Sequence, residues 1–237
     1  MSLFDLNRAA FDDRLDRFRH GLDRVTLPGR WWQHVEVLGI GRVNRGAFEA
    51  KWSAISRLLD QLRPASALDI GCNAGAFTVA LAERGIATLG VEREPAFYRA
   101  ALLAVQRSGT TLAGVAVLDL TPETAELLPS VDCVLLLAVW HHLVRSQGLE
   151  QATTMLRQLW DRTAQALFFV SGEREMGADF GLPPLQPTPR AWFEHYLANA
   201  CPGADVHHLG LVPATTPDGK PCTRNLFAVL RTQPEAA

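Results

Sequence analysis

Leu68-Asp69-Ile70-Gly71-Cys72-Asn73-Ala74-Gly75 is the stretch on which the reading of this chain turns. The apolar run Ser66–Ile70 reads as a strand and Ala76–Arg84 as the helix that follows it. Glycines between a strand and a helix let the backbone turn sharply and let a ligand approach the chain closely. Free amides at the start of the helix favour an anion or carboxylate. Working outward, Ala87–Val91 is a second strand closed by Glu92, which stands 21 residues after Gly71. An acid there can accept from both hydroxyls of a ribose. Gly114–Leu118 is a third strand ending in Asp119, placed to accept from an adenine amino group, with Leu120 to pack on the ring.

The same alternation continues. Ala96–Arg107 and Leu149–Thr163 read as helices, and Val131–Val139 and Ala166–Val170 as strands apolar on both faces. Such strands, separated by helices, form a parallel sheet covered on both sides. The tail differs: proline-rich GLPPLQPTP leads to a helix at Arg190–Ala200. Asp205–Val212 and Arg224–Leu230, joined across Pro217-Asp218-Gly219-Lys220, then form an antiparallel pair. The fold class is therefore α/β, a Rossmann-like doubly wound sheet preceded by helices.

Upstream, Phe4, Phe11, Leu15, Phe18 and Leu22 mark one face of an amphipathic helix, and Pro28-Gly29 breaks it. Phe48, Trp52, Ile55, Leu58, Leu59 and Leu62 mark a second helix over Ala47–Leu62, ended by Pro64. Residues 1–62 read as a helical lid or extension and 63–237 as the main domain, with an insert at about 173–200 shaping a substrate pocket.

The composition bounds the function. The chain has 237 residues, 48% hydrophobic and 20% charged, with a net charge of −2, which argues against a protein that coats nucleic acid. VDCVLLLAV, nine residues, is too short to span a membrane, and the charged N-terminus lacks a signal-peptide core. Cys72, Cys133, Cys201 and Cys222 are scattered without a CxxC pair and read as reduced thiols of a cytoplasmic protein. No ligand spacing predicts a metal site.

An acid two places before the first glycine, a strand-end acid and a terminal hairpin together resemble the class I S-adenosylmethionine-dependent methyltransferases over residues 64–231. The resemblance implies seven strands, the last antiparallel, with S-adenosylmethionine lying across the carboxyl ends of the first strands. It implies that Asp69, Gly71, Asn73 and Gly75 face the methionine part and Glu92 the ribose. Asp119 and Leu120 would bracket the adenine, and Val139 would complete the cofactor site. Asn73 departs from the commoner middle glycine. A shorter likeness, Trp31-Trp32-Gln33-His34-Val35-Glu36-Val37 with Gly41–Gly46, is similar to the lead-in of the tRNA wobble-uridine carboxymethyltransferase-like group. It implies that residues 31–46 fold over the cofactor.

Val139-Trp140-His141-His142-Leu143 follows the fourth strand, beside the position of a transferred methyl in this architecture. His141 is the candidate general base, Trp140 a pocket wall and His142 the structural partner. Glu173 and Glu175, just past the fifth strand, are candidates for binding a cationic or hydroxylated acceptor. The function expected is methyl transfer to a small-molecule or nucleoside-like acceptor. A catalytically silent binding subunit and an RNA-modifying enzyme, the latter suggested by the N-terminal arginines, are the alternatives. The sequence leaves the oligomeric state open.

Overall fold

The computed structural model of the protein describes residues 33–40 and 44–232. The amphipathic face at Phe4–Leu22, the Trp31-Trp32 pair and the Gly41–Val43 part of the lead-in lie outside the described residues.

Helix α1 (Arg45–Leu62) leads into β1 (Ser66–Ile70), α2 (Ala76–Glu83), β2 (Ala87–Glu92), α3 (Pro95–Ser108) and β3 (Ala113–Val117). A single turn, α4 (Pro122–Ala125), precedes β4 (Val131–Leu137), α5 (Trp140–Asp161) and β5 (Thr163–Val170). The chain closes with α6 (Pro189–Ala200), β6 (Ala204–Thr215) and β7 (Pro221–Arg231). Seven strands lie in the order β3-β2-β1-β4-β5-β7-β6. The pairs among β1 to β5 are parallel, and β7 runs antiparallel between β5 and β6. This is the expected sheet, with the order reversing between β1 and β4, where ligands bind in open α/β sheets.

Each face of the sheet buries its own layer. Leu68, Ile70, Val134, Leu136 and Phe169 pack with Trp140, Trp160 and Phe193 of α5 and α6. Ala67, Leu135, Phe168 and Ala228 pack with Ile55 and Leu59 of α1 and with Phe77 and Leu81 of α2. Residues 45–62, read from the sequence as part of an extension, thus enter the sheet's own core. In the lead-in, Val35, Leu38 and Ile40 pack on Ala76 and Val79 of α2 and Ala100 and Ala104 of α3.

Three of the boundaries that differ from the sequence reading bear on the site. β3 ends at Val117, so Asp119 and Leu120 lie beyond it. β4 ends at Leu137 rather than Val139, because Ala138 takes a positive φ of 62° and turns the chain. The helix expected from Leu149 begins at Trp140, with a non-helical break at Gly148 (φ 83°, ψ 163°). Glycine at that break hid the first half of the helix, since it reads in sequence as a terminator.

Candidate active site

The Gly71–Gly75 turn sits at the carboxyl end of β1, as its composition requires. Gly71 has φ +66°, and a Cβ there would meet Val139 Cγ2 at 2.5 Å. Gly75 caps α2 at φ +82°, and a Cβ there would meet the Ala101 backbone at 3.1 Å. Asn73 also sits in the left-handed region, at φ +51°. Asparagine is among the few side chains that tolerate that region, which accounts for its replacing glycine. The backbone N–H of Asn73 donates to Glu92 Oε2 at 2.9 Å, and that of Glu94 to Oε1 at 2.9 Å. Glu92 is thereby fixed at the end of β2 while each of its oxygens retains a lone pair.

Asp69 is 2% exposed and accepts from the Thr78 hydroxyl at 2.7 Å, tying the strand end to α2. Burial pushes its carboxyl up to about 6, against the Thr78 hydrogen bonds, with the Glu92 charge adding to the rise. Asp119 is exposed, with Arg93 Nη1 at 3.7 Å, and the neighbouring Leu120 is buried in the core. One helix-start amide is not free: Ala76 N–H donates to Gln33 Oε1 at 3.2 Å, so the lead-in touches the glycine turn. Two buried polar atoms at this sheet edge, Asn73 Oδ1 and Ser171 Oγ, have no partner.

On the other half of the edge five side chains expected in the site have partners within the protein or a placement that differs from the expected one. His141, expected as the base, is 2% exposed, and its Nδ1 accepts the Gly172 N–H at 2.8 Å. Its other nitrogen therefore carries the proton in the neutral ring, leaving no free basic lone pair. Burial first, then the His142 and Arg224 charges, lowers its pKa well below the usual imidazole value. His142, expected as the structural partner, is the exposed member, its ring tilted 38° to that of His141 at 4.2 Å and 5.7 Å from that of Phe180. Partial burial, followed by Arg93, Arg224 and Arg145, lowers its pKa as well, so it stays neutral at pH 7.

Trp140 is not a pocket wall. It is fully buried, and its indole N–H donates to Tyr196 Oη at 2.9 Å, which in turn meets Thr153 Oγ1 at 2.9 Å. Glu173 is buried and accepts from the N–H and Nδ2 of Asn225 at 2.6 and 2.8 Å. Glu175 Oε1 accepts from Arg224 Nε at 2.7 Å, and its Oε2 accepts from the Glu173 N–H at 3.1 Å. Both carboxylates therefore pin the insert to β7 rather than reaching for an acceptor. The insert also forms a half-open cavity of about 310 Å³, lined by Glu173, Arg174, Met176, Leu182, Pro184 and Gln186. Among the described residues no group of three His, Cys, Asp or Glu side chains could hold a metal ion.

Residues 68–165 match the family model described as a methyltransferase domain. The seven-stranded sheet around this segment and the glycine turn at its start are those of the Rossmann-like methyltransferase fold. The crystal structure of WbdD superposes with a TM-score of 0.66 at 21% identity, covering 91% of this chain and 46% of WbdD. A second WbdD structure is described as a bifunctional kinase-methyltransferase. The chain thus spans less than half the length of WbdD. Magnesium protoporphyrin IX methyltransferase (ChlM) from Synechocystis PCC 6803, with bound SAM, superposes at 0.59 and 17% identity, covering 94% of this chain and 97% of ChlM. At these identities the likeness establishes the fold. No curated protein sequence matches significantly.

Proposed function

We propose that this chain transfers the methyl group of S-adenosylmethionine to a small-molecule acceptor by in-line displacement. The observation that carries the reading is the bond from Asn73 N–H to Glu92 inside the glycine turn, with Asn73 Oδ1 buried beside it and unpartnered. A buried amide oxygen without a partner is costly unless a ligand supplies a donor. Glu92 offers its remaining lone pairs to the ribose hydroxyls, Gly71 and Gly75 give the backbone room for the methionine end, and Asp119 stands at the adenine end, its neighbour Leu120 anchoring the loop in the core. Val139, seated against Gly71, forms the floor beneath.

When bound, the cofactor supplies a methyl activated by the sulfonium. The residues of the chain then have mainly to orient the acceptor and exclude water. Alignment of this kind is worth about 7–11 kcal/mol in favourable cases. His142, exposed and neutral, takes the acceptor's proton, while His141 anchors the start of α5 on Gly172. The cavity within residues 173–186 receives the acceptor body, and its size suits a small molecule. ChlM, which is named for a magnesium protoporphyrin IX substrate, supports the small-molecule reading.

Incubation of the full chain with methyl-labelled S-adenosylmethionine and a panel of small hydroxyl, amine and carboxylate compounds tests this. Label is expected in at least one low-molecular-weight product. Cofactor that binds but transfers label to none of them would point instead to the silent binding subunit.

A further inference from the structure

Two imidazoles stand side by side at the start of α5, and most of their hydrogen-bonding capacity is unspent. Gly172 N–H donates to His141 Nδ1 at 2.8 Å, so the proton of the neutral ring sits on Nε2. That N–H is a donor held in a fixed direction, and among the described residues nothing accepts from it. It is not one of the buried polar atoms without a partner, so the 2% exposure that His141 retains includes this nitrogen. Among the described residues nothing bonds the ring nitrogens of His142 either, and its ring centroid lies 4.2 Å from that of His141.

The surroundings place the pair between two features already described. Val139, two residues before His141, is seated on the glycine turn, where a Cβ at Gly71 would meet its Cγ2 at 2.5 Å. On the other side, a Cβ at Gly172 would meet Met176 Sδ at 2.9 Å and His141 Cγ at 3.0 Å, so these two side chains are neighbours across Gly172. Met176 also lines the cavity of the insert. Phe180 lies against both imidazoles, its ring 5.7 Å from each. Ser171 Oγ, one residue before Gly172, is buried without a partner. A polar group withdrawn from water and left unpaired is costly unless a ligand or a water completes it. A fixed N–H is completed by an oxygen lone pair and not by a hydrocarbon, so a site built around one rejects ligands that lack the oxygen.

We propose that the pair reads two oxygens on neighbouring atoms of the methyl acceptor, His142 taking the proton of the hydroxyl that is methylated and His141 Nε2–H donating to the oxygen beside it. The inference rests on the methyl transfer proposed above and narrows its acceptor to a catechol or a vicinal diol. With the rings 4.2 Å apart and hydrogen bonds of about 2.9 Å from each, the two bound oxygens fall close together. The hydroxyl oxygen bonds to the methyl carbon as the carbon–sulfur bond breaks, the bonding pair stays on sulfur, and the hydroxyl proton passes to a free ring nitrogen of His142.

The full chain labelled with ¹⁵N-histidine and saturated with S-adenosylhomocysteine tests this without turnover. Loss of its signals in His141→Asn assigns His141. In that variant the amide oxygen replaces Nδ1 as acceptor for Gly172 N–H, and no donor remains at the position of Nε2. The wild-type ring is expected to carry its proton on Nε2, and that signal to shift saturably with catechol or ethylene glycol. Phenol and ethanol, which lack the second oxygen, are expected to bind about 3- to 10-fold more weakly, the worth of one neutral hydrogen bond. In His141→Asn the melting temperature is expected to hold, and the preference, followed on the His142 signals, to disappear.

A proton on Nδ1, no saturable shift with either two-oxygen probe, or equal affinity for probes with one and two oxygens overturns the proposal. So does a His141→Asn chain that keeps the preference, because the second oxygen is then read elsewhere. If His141→Asn does not fold, contact of the ring with the Gly172 amide assigns His141 in the wild type, and the probe comparison decides. Binding of S-adenosylhomocysteine, measured alongside by calorimetry, separates the two readings: a chain that binds it and fails the probes loses this inference alone.

Discussion

Asp69 is placed where its charge is least welcome, and its pH behaviour follows from that. Its folded pKa, about 6, lies above the ordinary 3.8, so the native state favours the protonated acid. The stability this gives is complete below about pH 4 and is lost as the pH rises through 6. Two pH units correspond to roughly 2–3 kcal/mol. Asp69→Asn, which keeps an acceptor for Thr78, should therefore match the wild type near pH 4 and exceed it at pH 7 by about that amount in urea unfolding. A constant difference across the range would contradict the burial argument. The two histidines separate in a similar way. His141→Ala strands the buried Gly172 N–H and should cost about 1–3 kcal/mol of stability. His142→Ala should change stability by less than about 0.5 kcal/mol and lower kcat by roughly 10²–10⁴. Denaturant midpoints and turnover on the identified acceptor check both. Glu92 was readable as a strand-end acid because its role depends on a turn only 19 to 21 residues upstream. The roles of Glu173, Glu175 and Trp140 were not, because their partners Asn225, Arg224 and Tyr196 lie 49 to 56 residues away.

At the scale of elements, periodicity exposed the strands of the parallel sheet and concealed the start of α5. Buried apolar runs at β1, β2, β4 and β5 are bounded by turn residues, so they stand out in the sequence. The segment Trp140–Gln147 is short, ends in Gly148, and joins the rest of the helix across non-helical geometry. Misreading it as a loop is what exchanged His141 and His142, since only the helical start turns one ring toward Gly172 and the other outward. Its position is secured by α6, where Tyr196 stacks on Trp192 and bonds both Trp140 and Thr153. Tyr196→Phe leaves the buried Trp140 N–H without an acceptor and should cost about 1–3 kcal/mol, read from the urea midpoint. A change within about 0.5 kcal/mol would show that α5 is held by packing alone.

The whole molecule divides its carboxyl edge into two halves with different chemistry. Over β1, β2 and β3 lie the glycine turn, Glu92 and Asp119, acidic and partly unpartnered. Over β4, β5 and β7 lie His142, the part-polar cavity of the insert and Arg224 with the carboxylate of Glu175. The first half was legible because a Rossmann-like site is written into strand-end residues close together in sequence. The second was not, because it is assembled from α5, the insert and β7. The central claim is that the first half binds an adenosyl cofactor through Glu92. Isothermal titration of the wild type and Glu92→Gln with S-adenosylhomocysteine tests it most directly. The account predicts one site per chain in the wild type and affinity reduced about 10- to 100-fold in the variant, the loss of a hydrogen bond to a charged group. Absence of binding to the wild type, or equal affinity in both proteins, would contradict it.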